Sequence, residues 1–290
     1  MSGERLAVRK TYKLWIGGAF VRSESGRHDP ALDHRGGHVA NIPRGSRKDV
    51  RDAVAAARKA QGPWAARTAY NRGQVLYRAA EALESRALEF AQQATRVSGL
   101  EGARAREDVS AAVDLLVHYA GWTDKLHAVL GGVNPVAAPF LSFSTPEPTG
   151  VVGAVCADDP SLASVVGVIA PALAAGNTVV AILPERWPLT GLDLGEVLGV
   201  SDVPGGSVNL LSGRTAELAH ALAGHRGVNA LIEATGDPEI ARTVDELASE
   251  TLKRVLHLPA PAPLGTTSWE ALRRLEALTE MRTAWHPVGA

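Results

Sequence analysis

Six side chains in the middle and later parts of the chain have the types that bond-making chemistry requires: Cys156, Asp158, Asp159, Glu185, Asp237 and His257. A thiol attacks only as the thiolate, a carboxylate or imidazole can carry a proton, and grouped carboxylates can hold a cation. Cys156 is the single cysteine. It follows the apolar run Val151, Val152, Val155 and stands two residues before Asp158, so burial and a nearby negative charge should both raise its pKa. A structural thiol is therefore expected, not a nucleophile. The carboxylates Asp158, Asp159, Glu185 and Asp237 are dispersed in sequence and are expected as solvated loop acids, not as a cation site. His28, His34 and His38 share a polar stretch, but no cysteine or tight carboxylate spacing accompanies them, so no metal site is expected. Thr235-Gly236-Asp237-Pro238 reads as a helix start, with Asp237 as cap and Pro238 in the first turn. A helix N-terminus is a natural anion site, but a carboxylate already there repels a second anion.

The elements that must position these groups are read from residue 146 onward. Val151 to Cys156, opened by Gly150, lacks alternation and suits a strand covered on both faces. Ser161 can cap a helix whose apolar positions Val165, Val168, Ile169, Ala172 and Leu173 recur at helical spacing, and Gly176-Asn177 is a stop signal. Residues 178–183 form a second β-branched run, completing a βαβ unit. Helices over 189–198, 215–223 and 238–249 then alternate with strands over 207–211, 228–232 and 253–258. Five strands with four helices between them predict an α/β fold, an open doubly wound, Rossmann-like parallel sheet. Upstream, residues 1–10 are expected to fray. Residues 14–21 carry a hairpin signal around Gly17-Gly18, and 22–45 reads as a surface loop. Helices are expected from Ser46, with Asp49 as box partner, then over 71–97 and 104–125. Residues 140–144 alternate like an exposed strand. A Pro/Ala linker over 259–263, a helix over 269–278 and a strand over 280–288 close the chain.

The segments EPTGVVGAV and IAPALAAGNTVV resemble the cofactor-domain core of the aldehyde dehydrogenase superfamily. In that family the intervening motif is Pro-Trp-Asn-Phe-Pro, whose Asn donates to the oxyanion of the thiohemiacetal. Here it reads Ala157-Asp158-Asp159-Pro160-Ser161, with Asp159 at the Asn position, and an ionised carboxylate has no donor to offer. The Leu-Lys-Arg-Val lead of the general-base motif is present as residues 252–255, but the Glu position falls on or beside Leu258. The ribose-binding Lys position is Ile182, while the Glu resembles Glu185. The Thr-Gly-Ser motif at the pyrophosphate reads Thr235-Gly236-Asp237. The resemblance thus implies cofactor contacts at Glu185, Thr235 and Gly236 in vestigial form, with NAD(P) binding weak or absent. It also implies that residues 1–258 form the cofactor domain, with an arm strand at about 139–149 inserted. Residues 259–290 would supply a linker, a short helix and a C-terminal oligomerisation strand. The family's catalytic domain, with its nucleophile, lies between those parts; here the connection has ordinary loop size, as if deleted internally with both arms kept. The arm strands, Phe140 to Ser144 and Glu280 to Val288, imply assembly into an oligomer.

Composition adds exclusions. With a net charge of −1 and no large basic block, the chain offers no argument for nucleic acid. No apolar stretch is long enough for a membrane span, and one cysteine with no apolar leader suggests the cytoplasm. The function expected is a structural or regulatory subunit, non-catalytic on its own, in a homo-oligomer or with a full-length aldehyde dehydrogenase. Two alternatives stand beside it: NAD(P)-dependent aldehyde oxidation through a composite site, and a ligand-binding or sensory module at the sheet's carboxyl edge.

Overall fold

The computed structural model describes residues 10–259 and 268–288, the side chains of residues 268 and 269 excepted. The frayed start expected for residues 1–10 and the linker expected over 259–263 lie almost wholly outside the described residues. The described chain opens with a hairpin, β1 (Leu14–Ile16) and β2 (Ala19–Val21), turned by Gly17 and Gly18 at positive φ, as a two-residue turn demands. A second hairpin follows, β3 (His28–Leu32) and β4 (His38–Pro43). This corrects the surface loop expected over 22–45. Its inward residues Ala31, Val39, Ala40 and Ile42 are interrupted by Pro, His and Asn, so no clean alternation shows.

Helices α1 (Arg47–Ala65), α2 (Ala69–Glu84), α3 (Ala87–Ser98) and α4 (Gly102–Ala120) come next. The capping box of α1 forms between Ser46 and Asp49. The single helix expected over 71–97 is two, because the chain turns at Ser85 and Arg86 while the apolar stripe continues past the break. The helix expected over 104–125 ends at Ala120, and a turn from Gly121 leads to the short α5 (Leu126–Leu130). Strands β5 (Gly132–Asn134) and β6 (Phe140–Pro148) follow.

From there the chain alternates: β7 (Val151–Val155), α6 (Leu162–Ala174), β8 (Thr178–Ile182), α7 (Pro188–Val200) and β9 (Val208–Leu211). It continues through α8 (Thr215–Ala223), β10 (Ala230–Glu233), α9 (Pro238–Ser249) and β11 (Arg254–His257). Helix α10 (Ser268–Ala277) and β12 (Thr279–Pro287) complete it. The main sheet has seven strands in the order β11-β10-β7-β8-β9-β1-β2. The five from β7 to β11 are parallel, while the N-terminal hairpin extends the far edge antiparallel. The fold is thus the expected doubly wound α/β type, and the hairpin belongs to its sheet.

Each face of the sheet is buried. Val152, Ala154 and Cys156 look toward the core shared with α2, α4, α6, α7 and α10, whereas Val151 and Val155 look toward that of α1, α8 and α9. Helix α6 stops at Gly176, whose φ of +89° favours glycine, and the next residue, Asn177, is fully buried. Its Oδ1 accepts from the Gly150 amide at 2.8 Å and its Nδ2 donates to the Leu278 carbonyl at 2.9 Å. One side chain therefore ties the start of β7 to the root of β12.

That root carries a separate three-stranded sheet, β12-β6-β5. β6 and β12 pair along nine residues each, from Thr279 opposite Pro148 to Pro287 opposite Phe140. The exposed strand expected over 140–144 is therefore longer, and it lies in the middle of its sheet because β5 pairs on its other side. No helix among the described residues is long and apolar enough to cross a membrane.

Candidate functional site

In an open parallel sheet, ligands bind at the carboxyl ends of the strands, where helix N-termini gather. Cys156 follows β7 and is fully buried; burial, and then the charge of Asp159, push its thiol up to about 12. The responsible neighbour is thus Asp159, not the Asp158 expected from sequence spacing, because Asp158 turns outward. Its carboxylate takes the Arg186 Nε at 2.6 Å and the Arg186 amide at 3.0 Å.

Asp159 itself turns onto the start of α6. Its carboxylate accepts from the Ser161 amide at 2.9 Å and from the Ser164 hydroxyl at 3.1 Å. Asp108, reaching across from α4, accepts from the Leu162 amide at 2.8 Å and from the Ser161 hydroxyl. Burial raises the pKa of both acids above the usual carboxylate range, and for Asp159 the charges of Asp108 and Asp158 add to it. The turn between β7 and α6 is thereby lined with acceptors.

The same arrangement recurs along the edge. Glu185, after β8, accepts from the Thr215 amide at the start of α8 and from Arg214, each at 2.7 Å. Burial alone would raise its pKa, but Arg214 and the Thr215 amide outweigh that and hold it low. Asp237 caps α9 as expected, accepting from the Glu239 amide at 2.8 Å, while the exposed Gly236 takes a φ of +68°. Thr235 donates its amide at 2.7 Å, and its hydroxyl, to the buried carboxylate of Glu233. Leu258 is buried in the core, its amide bonded to the Glu233 carbonyl at 2.8 Å.

Sequence reasoning missed Glu233, Asp245 and Asp108. Glu233 holds His257 Nδ1 at 3.3 Å, and Asp245 of α9 holds Nε2 at 2.9 Å. Burial would lower the His257 pKa, but the two hydrogen bonds and charges outweigh it and raise the value. One signal existed for Glu233, a lone charge ending an apolar run. Asp108 and Asp245 look like ordinary surface positions of helices, and only the packing brings them here. Glu185, Thr235 and Asp237 are thus spread along the edge, each on its own strand-to-helix turn. Among the described residues no three or more His, Cys, Asp or Glu side chains are placed to hold a metal ion. His34 and His38 instead bond to the Arg96 carbonyl and the Asn41 side chain.

Beyond β11 lies a cavity of about 890 Å³ between that strand, α10 and β12, lined by Leu256, His257, Leu258, Glu270, Arg273 and Met281 among others.

The model of the family described as "Aldehyde dehydrogenase family" matches residues 20–259. The mitochondrial aldehyde dehydrogenase family 2 member B4 of Arabidopsis thaliana is 34% identical over 243 residues, 82% of this chain and 44% of that protein. Mitochondrial benzaldehyde dehydrogenase of Antirrhinum majus is 35% identical over 243 residues, 82% of this chain and 45% of that protein. Among solved structures, the NAD+ complex of aldehyde dehydrogenase from Bacillus cereus superposes with a TM-score of 0.81 at 27% identity, covering 86% of this chain and 51% of that one. The chain spans about half the length of the relatives it matches.

Proposed function

The chain belongs to the aldehyde dehydrogenase family, and from that premise we propose that it is a non-catalytic member serving as a structural or regulatory subunit. It assembles through the β6–β12 ribbon with a second copy or with a full-length aldehyde dehydrogenase. Residues 1–258 act as a cofactor-type domain and 259–290 as linker, helix and assembling strand. The compartment proposed is the cytoplasm, since the chain's single cysteine suits reducing conditions.

The observation that carries this reading is the ribbon. Phe140, Leu141, Phe143, Met281 and Trp285 are all 37% or more exposed on a separate three-stranded sheet. Such a surface is an association site more readily than a solvated one. The crevice supports the other half of the reading. Its only thiol is buried with a pKa near 12, and its turn carries acceptors where the family's mechanism needs a donor. For the same reason NAD(P) binding is proposed to be weak or absent: Asp237 already supplies an anion at the start of α9. A second reading, a ligand-binding module, rests on the cavity beside β11.

Native mass spectrometry of the tagged chain, isolated gently from its own cells, tests the proposal. An oligomer of fixed ratio is expected, together with no aldehyde oxidation by the purified chain. A monomer throughout, or turnover that disappears in Cys156→Ala, would overturn it.

A further inference from the structure

The amino ends of the parallel strands, at the opposite end of the sheet from the candidate site, gather three side chains that can carry positive charge. Lys253 stands one residue before β11 and Asn229 one residue before β10, and these strands pair in parallel with Ala230 opposite Arg254. Leu231 and Val255 both pack into the core of α1, α8 and α9. Side chains alternate along a strand, so Asn229 and Lys253 are neighbours on that same face. Asn229 is fixed there, its Oδ1 accepting from the Val151 amide at 3.0 Å. Arg58 of α1 reaches the same spot and donates from Nη1 to that oxygen, also at 3.0 Å. His225, in the loop between α8 and β10, completes the group: the charges of Lys253 and Arg58 both act on its ring.

The donors of this group are largely unspent. Lys253 is only 9% exposed, yet the acceptor that its ammonium holds is a single hydroxyl, that of Thr251. The exposed Glu250 is the carboxylate whose charge acts on it, but burial outweighs that charge and lowers the Lys253 pKa. Covering an ammonium without a paired anion is costly. The His225 Nδ1 accepts from the Gly227 amide at 2.9 Å, so the neutral ring carries its proton on Nε2, ready to be donated. Helices α8 and α9 both end on this side, and their carbonyl ends favour cations, but none of the three side chains bonds to one of those carbonyls. Arg58 is exposed and His225 half-buried, so the group opens to solvent.

We propose that Arg58, His225 and Lys253 bind a phosphate group, carried by inorganic phosphate or by a small phosphate monoester. The two fixed charges match a dianion. The three kinds of donor match its terminal oxygens: the fork of Arg58, the point charge of Lys253 and the single N–H of His225. A carboxylate, with one charge and two oxygens, would leave a donor unused. The inference stands apart from the assembly reading, since no residue of the β6–β12 ribbon takes part.

Calorimetric titration of the full chain at fixed ionic strength tests it, with inorganic phosphate, glycerol phosphate and acetate as probes. Saturable binding of phosphate is expected, weakened at least about tenfold in Arg58→Gln and in Lys253→Met. Arg58→Gln changes an exposed side chain and reports on the site even where Lys253→Met disturbs the fold; its circular dichroism spectrum should match that of the natural chain. Tighter binding of glycerol phosphate marks an organic monoester as the ligand, and tighter binding of phosphate marks the free ion. Saturation by neither, an affinity that Arg58→Gln leaves unchanged, or acetate bound as tightly as phosphate would overturn the site.

Discussion

At the carboxyl edge of the parallel sheet the polar groups have been turned inward; on the β6–β12 ribbon the apolar groups have been turned outward. Asp108, Glu185 and Asp237 each end on a first-turn helix amide of their own chain, and Asp159 ends on the amide of Ser161, the residue that caps α6. Phe140, Phe143, Met281 and Trp285 end in solvent. A helix N-terminus leaves amides unbonded, and a sheet edge leaves a ladder unbonded. The first region satisfies those groups internally, and the second does not. In a protein that bound an anionic cofactor the first would be the open one. The ribbon is the region that leaves such groups open to a partner.

Three measurements test this contrast. The largest effect is expected at Asp237. Asp237→Ser keeps a good helix cap but removes the charge, so NAD affinity by calorimetry should rise roughly tenfold to a hundredfold. The ceiling of about 4 kcal/mol for two charges 4 Å apart at an effective dielectric of 20 is not reached, because solvent screens the exposed Asp237. Tight NAD binding by the natural chain would break the contrast outright. Next comes Asp108→Ala, which strips the Ser161 hydroxyl and the Leu162 amide of their acceptor and should cost about 1–3 kcal/mol in urea unfolding. Asp158→Ala, which loses only an exposed pair with Arg186, should cost little. If the two variants unfold alike, Asp108 is not a structural cap.

The smallest effect is expected at His257. Its folded pKa is raised above 6.5 despite burial, through Asp245 and Glu233. A raised value means that the proton stabilises the fold. That contribution is complete below 6.5 and is lost as pH rises through the folded pKa. His257→Gln can keep a hydrogen bond to Glu233 without the charge. The melting temperature of the natural chain should therefore exceed the variant's below pH 6.5 and converge with it as pH rises through the folded value. A gap that widens with pH would contradict the pairing.

Much of the scaffold was legible in the chain. The runs at 151–156 and 178–183 read as doubly covered strands and are buried throughout. Gly176-Asn177 read as a helix stop, and Asp237-Pro238 as a helix start with its own cap. The second hairpin was hidden because Pro30, His38 and Asn41 interrupt its pattern, and the break at Ser85 because one apolar stripe serves both α2 and α3. The candidate site was less legible. Asp159 was visible as a misplaced acid, but its hydrogen-bond partners and its neighbour Asp108, 51 positions earlier in the sequence, were not.

Sequence alone determined what is local: the alternation of strand and helix, the caps, and the single cysteine set in an apolar run. Those follow from backbone propensity and spacing along the chain. Tertiary structure decided where each charge is spent. Asp108 meets the start of α6 only because α4 packs on α6, and Asn177 reaches Leu278 only because β12 returns to the sheet. Whether a carboxylate is free to act or is used as a cap depends on distances between distant parts of the chain, and spacing along the sequence does not contain them.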